Sequence, residues 1–108
     1  MKNYQVVIVV CFLSCVFIAA SGQTGSSDAG LTANPVFVEN CAKCHGGNAE
    51  GRHFRGPSLL SGKAASASED ELRNIITHGK GHMPKFSGKI SSSEIDTLVQ
   101  QIENLKKK

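Results

Sequence analysis

The chain has 108 residues, which is enough for one small domain and too few for a multidomain enzyme. It carries 12 Lys and Arg against 9 Asp and Glu, a formal net charge of +3, and this weak basic excess does not indicate nucleic-acid binding. A domain of this size often needs a metal, a disulfide or a cofactor to complete its core.

The N-terminal segment has the features of an export signal. Lys2 supplies a positive start, and residues 6–20 (VVIVVCFLSCVFIAA) form an unbroken apolar or small run. The run is shorter than the roughly 20 residues that a membrane span needs, and small residues follow it. We therefore predict a signal peptide over residues 1–22 and a periplasmic location, with an uncleaved membrane anchor as the main alternative. Loss of Lys2 leaves 11 basic and 9 acidic residues, a net charge of +2.

Cys15 leaves a third processing route open. Leu13-Ser14-Cys15 loosely resembles the lipobox of bacterial lipoproteins, in which the cysteine becomes the lipidated first residue. Phe12 fits that pattern poorly. In the simpler interpretation, Cys11 and Cys15 are apolar members of the signal core.

A flexible linker is predicted next, over residues 23–33, because this stretch is rich in Gly, Ser and Thr. The folded domain is then expected over residues 34–108. Its first helix should begin at Asn34-Pro35, since Asn is a good N-cap and Pro suits the first helical position. Phe37 and Cys41 are four residues apart and share a face of this helix, which is expected to end at Gly46.

Cys41, Cys44 and His45 form the pattern C-x-x-C-H, which is typical of covalent c-type haem attachment. Two cysteines three residues apart on a helix lie about one turn from each other on a common face. There they could form thioethers with the two vinyl groups on one edge of a porphyrin. His45 would then be carried under the iron as an axial ligand. The pattern predicts one covalently attached haem c.

Other uses of this motif fit less well. A redox dithiol of the thioredoxin kind needs a βαβ context that the surrounding sequence lacks. A disulfide between Cys41 and Cys44 would close a loop too small to stabilise much. Zinc could be bound by these two cysteines with His78 and His82, but the gap between the pairs exceeds that of a zinc finger. Zinc also leaves the position of His45 unexplained.

The rest of the domain is predicted to contain a long loop and two further helices, with no strands. Residues 46–67 hold five glycines and Pro57, and a loop of this length is expected to wrap a cofactor. Capping-box signatures begin both helices, Ser68 with Glu71 and Ser91 with Glu94. Apolar stripes follow the caps: Leu72, Ile75 and Ile76, then Ile95, Leu98, Val99, Ile102 and Leu105.

Met83 is the candidate for the second axial ligand. It is the only methionine outside the predicted signal peptide, and it lies in the loop 79–84 (GKGHMP) between glycines and a proline. Methionine opposite histidine raises the reduction potential of a haem iron. His82, His78 and His53 are the competing ligands, and an open sixth position is the remaining alternative.

Three segments carry a family resemblance: residues 37–45 (FVENCAKCH), 56–59 (GPSL) and 83–91 (MPKFSGKIS). In this order they resemble the class I cytochromes c, in particular the small bacterial and cytochrome c6-like monohaem proteins. The resemblance runs from about residue 34 to residue 106. It implies an all-α cytochrome c fold, with about three main helices and long loops wrapped around one haem.

The resemblance also implies roles for single residues. The Pro57 carbonyl would accept a hydrogen bond from the other ring nitrogen of His45, and Leu59 and Phe86 would help to wall the haem. Phe37 would pack where the first and last helices cross.

One position departs from the family pattern. The final helix of the family usually has an aromatic residue where this chain has Gln101, within the stretch 98–102 (LVQQI). The departure predicts a looser or wetter crossing of the two helices.

Together these features predict a one-electron carrier that is not an enzyme and binds neither nucleic acid nor a small-molecule substrate. Its partners would be redox proteins outside the cytoplasmic membrane, and it would contact the membrane only if the N-terminus is retained or lipidated. The alternative is a peroxidase-like haem enzyme or a gas sensor with a labile or open sixth iron position. Four lysines either surround the haem edge and guide acidic partners or are ordinary surface residues: Lys43, Lys80, Lys85 and Lys89.

Overall fold

A computed structural model describes residues 30–108, and the all-α prediction is confirmed for them. Within this range a 3-10 turn at Leu31–Ala33 precedes five helices and no strand forms. The helices are α1 (Pro35–Asn40), α2 (Ala42–His45), α3 (Gly62–Ser66), α4 (Glu69–His78) and α5 (Ser92–Lys106). The predicted signal peptide and residues 23–29 of the predicted linker lie outside the described residues. None of the helices within 30–108 is long and apolar enough to cross a bilayer.

The packed part of the chain begins before the predicted domain boundary at residue 34. Leu31, which the composition assigned to the linker, is 1% exposed. Its turn is closed by a 3.1 Å hydrogen bond from the Asn34 backbone N–H to the Leu31 carbonyl, and it packs against α1 and α5. A single apolar side chain within a Gly- and Ser-rich stretch is enough to anchor these residues to the core.

The first predicted helix is present but divided at Cys41. The backbone there has φ −115° and ψ −41°, so Cys41 ends α1 and begins α2. Backbone bonds continue across the break, because Cys41 N–H donates to the Phe37 carbonyl and His45 N–H donates to the Cys41 carbonyl. The two segments therefore keep nearly one helical path. Gly46 ends it with φ +87°, in agreement with the predicted end.

Both predicted caps of the later helices are present. Ser68 Oγ accepts from the Glu71 N–H at 3.1 Å, and Ser91 Oγ accepts from the Glu94 N–H at 3.2 Å. The second cap is a full capping box, since the Ser91 N–H also donates to the Glu94 carboxylate at 2.8 Å. The Ser91 N–H and the Ser91 hydroxyl both donate to this carboxylate, and these two hydrogen bonds lower the pKa of Glu94. The helices pack together through buried members of the predicted stripes: Leu72, Ile76, Ile95, Leu98, Val99 and Ile102.

Gln101 joins α5 to the start of α1 by a buried hydrogen bond. Its side chain is 4% exposed, and its Oε1 accepts from Asn34 Nδ2 at 2.8 Å. The same Asn34 caps α1, because its Oδ1 accepts from the Val36 N–H at 2.9 Å. At the position where the family usually has an aromatic residue, the structure therefore has a direct amide pair. Phe37 is also buried, at 1% exposure.

Separating the two roles of Asn34 gives a stability prediction. Asn34→Ser keeps a capping oxygen but is too short to reach Gln101, so we expect a loss of about 1–2 kcal/mol for one buried hydrogen bond. Asn34→Ala should cost about 1 kcal/mol more, because the cap is also lost. Denaturant unfolding of the haem-containing protein measures both values. A double-mutant cycle with Gln101→Ala that shows no coupling would refute the role of the pair.

Candidate haem site

His45 is held in a defined orientation and tautomer. It ends α2, is 8% exposed, and its Nδ1 lies 2.8 Å from the Pro57 carbonyl oxygen. A carbonyl oxygen can only accept, so Nδ1 must carry the proton. The other ring nitrogen, Nε2, then keeps its lone pair and is the atom suited to bind a metal.

Cys41 and Cys44 present two sulfur atoms beside this histidine. Both are free, half-buried thiols three residues apart. Burial raises the pKa of the Cys41 thiol to about 11, and the neighbouring Cys44 adds to the rise. Such an environment suits a thioether, which carries no charge. A reactive dithiol or a zinc thiolate would instead be favoured by surroundings that lower the thiol pKa.

The loop after His45 is fastened to it by backbone hydrogen bonds. The Gly51 N–H donates to the His45 carbonyl at 2.6 Å, and the Leu59 N–H donates to the Ala49 carbonyl at 2.9 Å. These bonds fold residues 46–59 back over the end of α2. The carbonyl of Pro57 is thereby brought to the imidazole ring.

Gly56 lets the loop approach the cysteine-bearing helix closely. A Cβ at this position would lie 2.8 Å from the Cys44 carbonyl oxygen.

We expect Gly56→Ala to lower the free energy of unfolding by about 1–3 kcal/mol, as overpacking does, and to weaken the His45–Pro57 hydrogen bond. Gly47→Ala is the matched control, because no heavy atom beyond its two chain neighbours lies within 4 Å of its added Cβ. Denaturant unfolding measures the loss of stability, and the NMR signal of the His45 Nδ1 proton reports on the hydrogen bond. Equal stability and equal Nδ1 proton signals in the two variants would contradict the role of Gly56.

Met83 lies in a tight turn after α4. Its N–H donates to the Lys80 carbonyl at 3.0 Å and its carbonyl accepts from the Lys80 N–H at 3.1 Å. Gly79 has φ +79°, and a Cβ there would lie 2.6 Å from the Met83 carbonyl oxygen. The Met83 side chain is half-buried and packs against the same core as Cys41. Leu59 and Phe86 are buried members of that core.

The competing histidines are placed differently from His45. His53, His78 and His82 are all exposed. No group of three or more His, Cys, Asp or Glu side chains that could hold a metal ion is found among residues 30–108. The described part of the chain therefore does not assemble the Cys2His2 zinc site that the spacing left open.

The sequence patterns did not indicate two features near the site. One is the Asn34–Gln101 pair, whose members are 67 residues apart. The other is a short hairpin from Arg52 to Gly56 that carries an exposed Phe54. A glycine and a proline after a basic, polar stretch could have indicated a turn there. The four lysines considered for docking are all exposed, namely Lys43, Lys80, Lys85 and Lys89.

Comparison with known proteins gives consistent matches. The family model described as cytochrome c oxidase, cbb3-type, subunit III matches residues 28–102. The cbb3-type cytochrome c oxidase subunit FixP of Bradyrhizobium sp. (strain ORS 278) is 34% identical over 65% of this chain and 25% of that subunit. Cytochrome c6 of Leptolyngbya boryana is 35% identical over 59% of this chain and 78% of that protein.

A solved structure gives the same picture. The crystal structure of cytochrome c6C from Synechococcus sp. PCC 7002 has a TM-score of 0.56 and 31% identity, over 68% of this chain and 92% of that one. The chain thus spans most of the small cytochromes but only 25–30% of the length of the oxidase subunits that it matches.

Proposed function

The chain belongs to the cytochrome c family, whose members bind one covalently attached haem c, and from this membership we propose that it is a one-electron carrier. The haem, when bound, supplies an iron that accepts and returns a single electron. The protein must then hold the iron ligands unchanged in both oxidation states and keep water away. Each of these tasks can be assigned to particular residues.

We assign the attachment and the first axial ligand to the segment 41–45. Cys41 and Cys44 would hold the two thioethers, and His45 would bind iron through Nε2. Support comes from the 2.8 Å contact that leaves Nε2 available and from the uncharged state of the Cys41 thiol. The Pro57 carbonyl accepts a hydrogen bond from the His45 Nδ1–H, which fixes the imidazole and makes Nε2 a stronger donor to a metal.

We assign the second axial ligand to Met83, and this assignment carries the proposal. It is the single methionine of residues 30–108, it is half-buried against the core, and its turn is held by backbone bonds. The exposed His78 and His82 are less suited to a buried iron. With His45 and Met83 both bound to the iron, no position would be left for a substrate, and electron transfer would be the remaining chemistry.

We further propose that the protein works outside the cytoplasmic membrane with redox proteins as partners. The apolar segment 6–20 supports export. Several relatives are named as subunits of cbb3-type oxidases, so a partner within an oxidase complex is included in this proposal. Intact mass measurement of the mature holoprotein should show an N-terminus near residue 23. A mass that retains residues 1–22, or a lipid on Cys15, would overturn the free periplasmic form.

A redox titration of the purified holoprotein tests the carrier function. We expect reversible reduction and oxidation by one electron per haem, with the same visible spectrum after each cycle. Peroxide with a phenolic donor should give far less turnover than a protein-free haem peptide, whose iron has an open position. Sustained peroxide turnover by the native protein would favour the peroxidase-like alternative and reject the proposal.

A further inference from the structure

The loop beside the cysteines carries a closed hairpin with an aromatic tip. Arg52 N–H donates to the Gly56 carbonyl at 2.9 Å, and Gly56 N–H donates to the Arg52 carbonyl at 3.2 Å. His53 and Phe54 form the tip between them. Phe54 is 98% exposed, more than any other large apolar residue between 30 and 108. A phenyl ring held in water gives the fold no stability.

The backbone at Phe54 is also unfavourable for this residue. Its φ is +62°, in the left-handed region that Asn and Gly adopt readily and bulky side chains rarely adopt. The ring nevertheless has a defined environment, since the His53 ring meets it edge-on at 76° with centroids 4.2 Å apart. Folding alone therefore does not explain why a phenylalanine occupies this position, and strain of this kind is typical of functional sites.

Two arginines flank the aromatic tip. Arg52 and Arg55 are exposed, and the ion pairs of residues 30–108 involve Arg73 and Lys106 instead. The nearest carboxylate along the chain, Glu50, is turned towards the Asn48 N–H at 2.9 Å. Arginine and aromatic residues are the types enriched in protein interfaces, and a guanidinium pairs with a carboxylate through two hydrogen bonds.

The base of the hairpin lies next to the candidate haem site. Gly56 lies against the Cys44 carbonyl, and the next residue, Pro57, bonds to His45. Phe54 is two residues from Gly56, so their Cα atoms are at most about 7 Å apart. A protein that covers Phe54 would therefore sit beside the cysteine-bearing helix, where a short electron path is available.

We propose that the hairpin Arg52–Gly56 is the docking element for an acidic redox protein. Phe54 fills an apolar depression at the centre of the contact, and Arg52 and Arg55 pair with carboxylates on its rim. The inference rests on the proposed carrier function and deepens it, because it names the contact surface and the chemistry of the partner.

Stopped-flow reduction of the ferric holoprotein by reduced plant-type ferredoxin, an acidic one-electron donor, tests the proposal. One electron leaves the ferredoxin cluster and reduces one ferric haem. We expect Phe54→Asn and the double variant Arg52→Gln/Arg55→Gln each to lower the second-order rate at low salt by about tenfold. Leu60→Asn and Lys63→Gln, exposed residues outside the hairpin, are the matched controls and should react like the wild type.

Two further measurements separate docking from structure and from the carrier function. Reduction by ascorbate should be unchanged in all variants, and Phe54→Asn should not lower Tm because Asn tolerates the left-handed backbone. The docking inference would be overturned if both hairpin variants reacted with ferredoxin at the wild-type rate, or if Phe54→Asn markedly lowered Tm. Normal reduction by ascorbate in the same variants would still support the carrier function. The inference would also be overturned if ferredoxin rates were unchanged and Phe54 were instead needed for binding to phosphatidylserine vesicles or for self-association. Phe54 would then contact a membrane or a second copy of the chain.

Discussion

Replacing Cys41 and Cys44 together with serine should abolish covalent haem retention. Serine has no sulfur to add to a vinyl group, so both proposed thioethers are lost and only the axial ligands remain. After acid–acetone extraction of the purified variant, the haem should be found in the organic phase. Each single variant keeps one thioether and should retain its haem through extraction, with a shifted visible band.

The chain supplies its own controls for this experiment. Cys11 and Cys15 lie in the predicted signal peptide, and serine at either position should leave the haem of the mature protein attached. The Cys15→Ser variant also tests lipidation, because a lipoprotein would lose its membrane association. Haem that survives extraction from the Cys41→Ser/Cys44→Ser variant would refute the proposed attachment.

Replacing Met83 with alanine should open the sixth iron position. Alanine cannot bind iron, so the variant should lose the ferric near-infrared band that sulfur ligation produces and should bind carbon monoxide quickly. Its reduction potential should fall, because a methionine opposite a histidine raises it. Optical spectra and a redox titration of the purified variant measure all three changes.

His82→Ala is the matched control for this variant. His82 is exposed and adjacent to Met83, so its removal changes the same turn without touching the proposed ligand. The control should keep the wild-type spectrum and remain closed to carbon monoxide. The opposite pattern, with Met83→Ala unchanged and His82→Ala opened, would assign the sixth ligand to histidine.

The features that could be predicted from the sequence depend on short-range geometry. A capping-box signature is a serine and a glutamate three residues apart, and both such pairs, Ser68 with Glu71 and Ser91 with Glu94, begin helices. The C-x-x-C-H motif is also local, because spacing along the chain fixes which side chains can meet one porphyrin edge. The family resemblance supplied the contact between Pro57 and His45, which joins residues that no periodicity relates.

The features that escaped prediction depend on distant or unusual contacts. Asn34 looked like an ordinary cap, and only the folded chain shows that its free amide nitrogen reaches Gln101 on the last helix. Leu31 looked like part of a linker because composition averages over its polar neighbours. The left-handed Phe54 runs against backbone preference, so no propensity could indicate it. Such disagreements are expected where a residue serves a contact beyond its own element.

The described part of the chain places proposed haem-binding residues from distant segments against one apolar core. Its apolar residues form one core that reaches the half-buried Cys41 on one segment and the half-buried Met83 on another. Residues 46–59 are folded back on the end of α2, and the Pro57 carbonyl holds the imidazole of His45 in one orientation. If His45 and Met83 are the iron ligands, as proposed, they would not need to move between the two oxidation states, which is the requirement for an electron carrier.

The closed iron site is the central claim, and carbon monoxide tests it most directly. The purified, reduced wild-type protein should show sharp low-spin bands that do not change when carbon monoxide is added. Its ferric form should carry the weak near-infrared band of sulfur ligation. Rapid carbon monoxide binding by the native protein would show that the sixth position is open and would contradict the carrier function proposed for it.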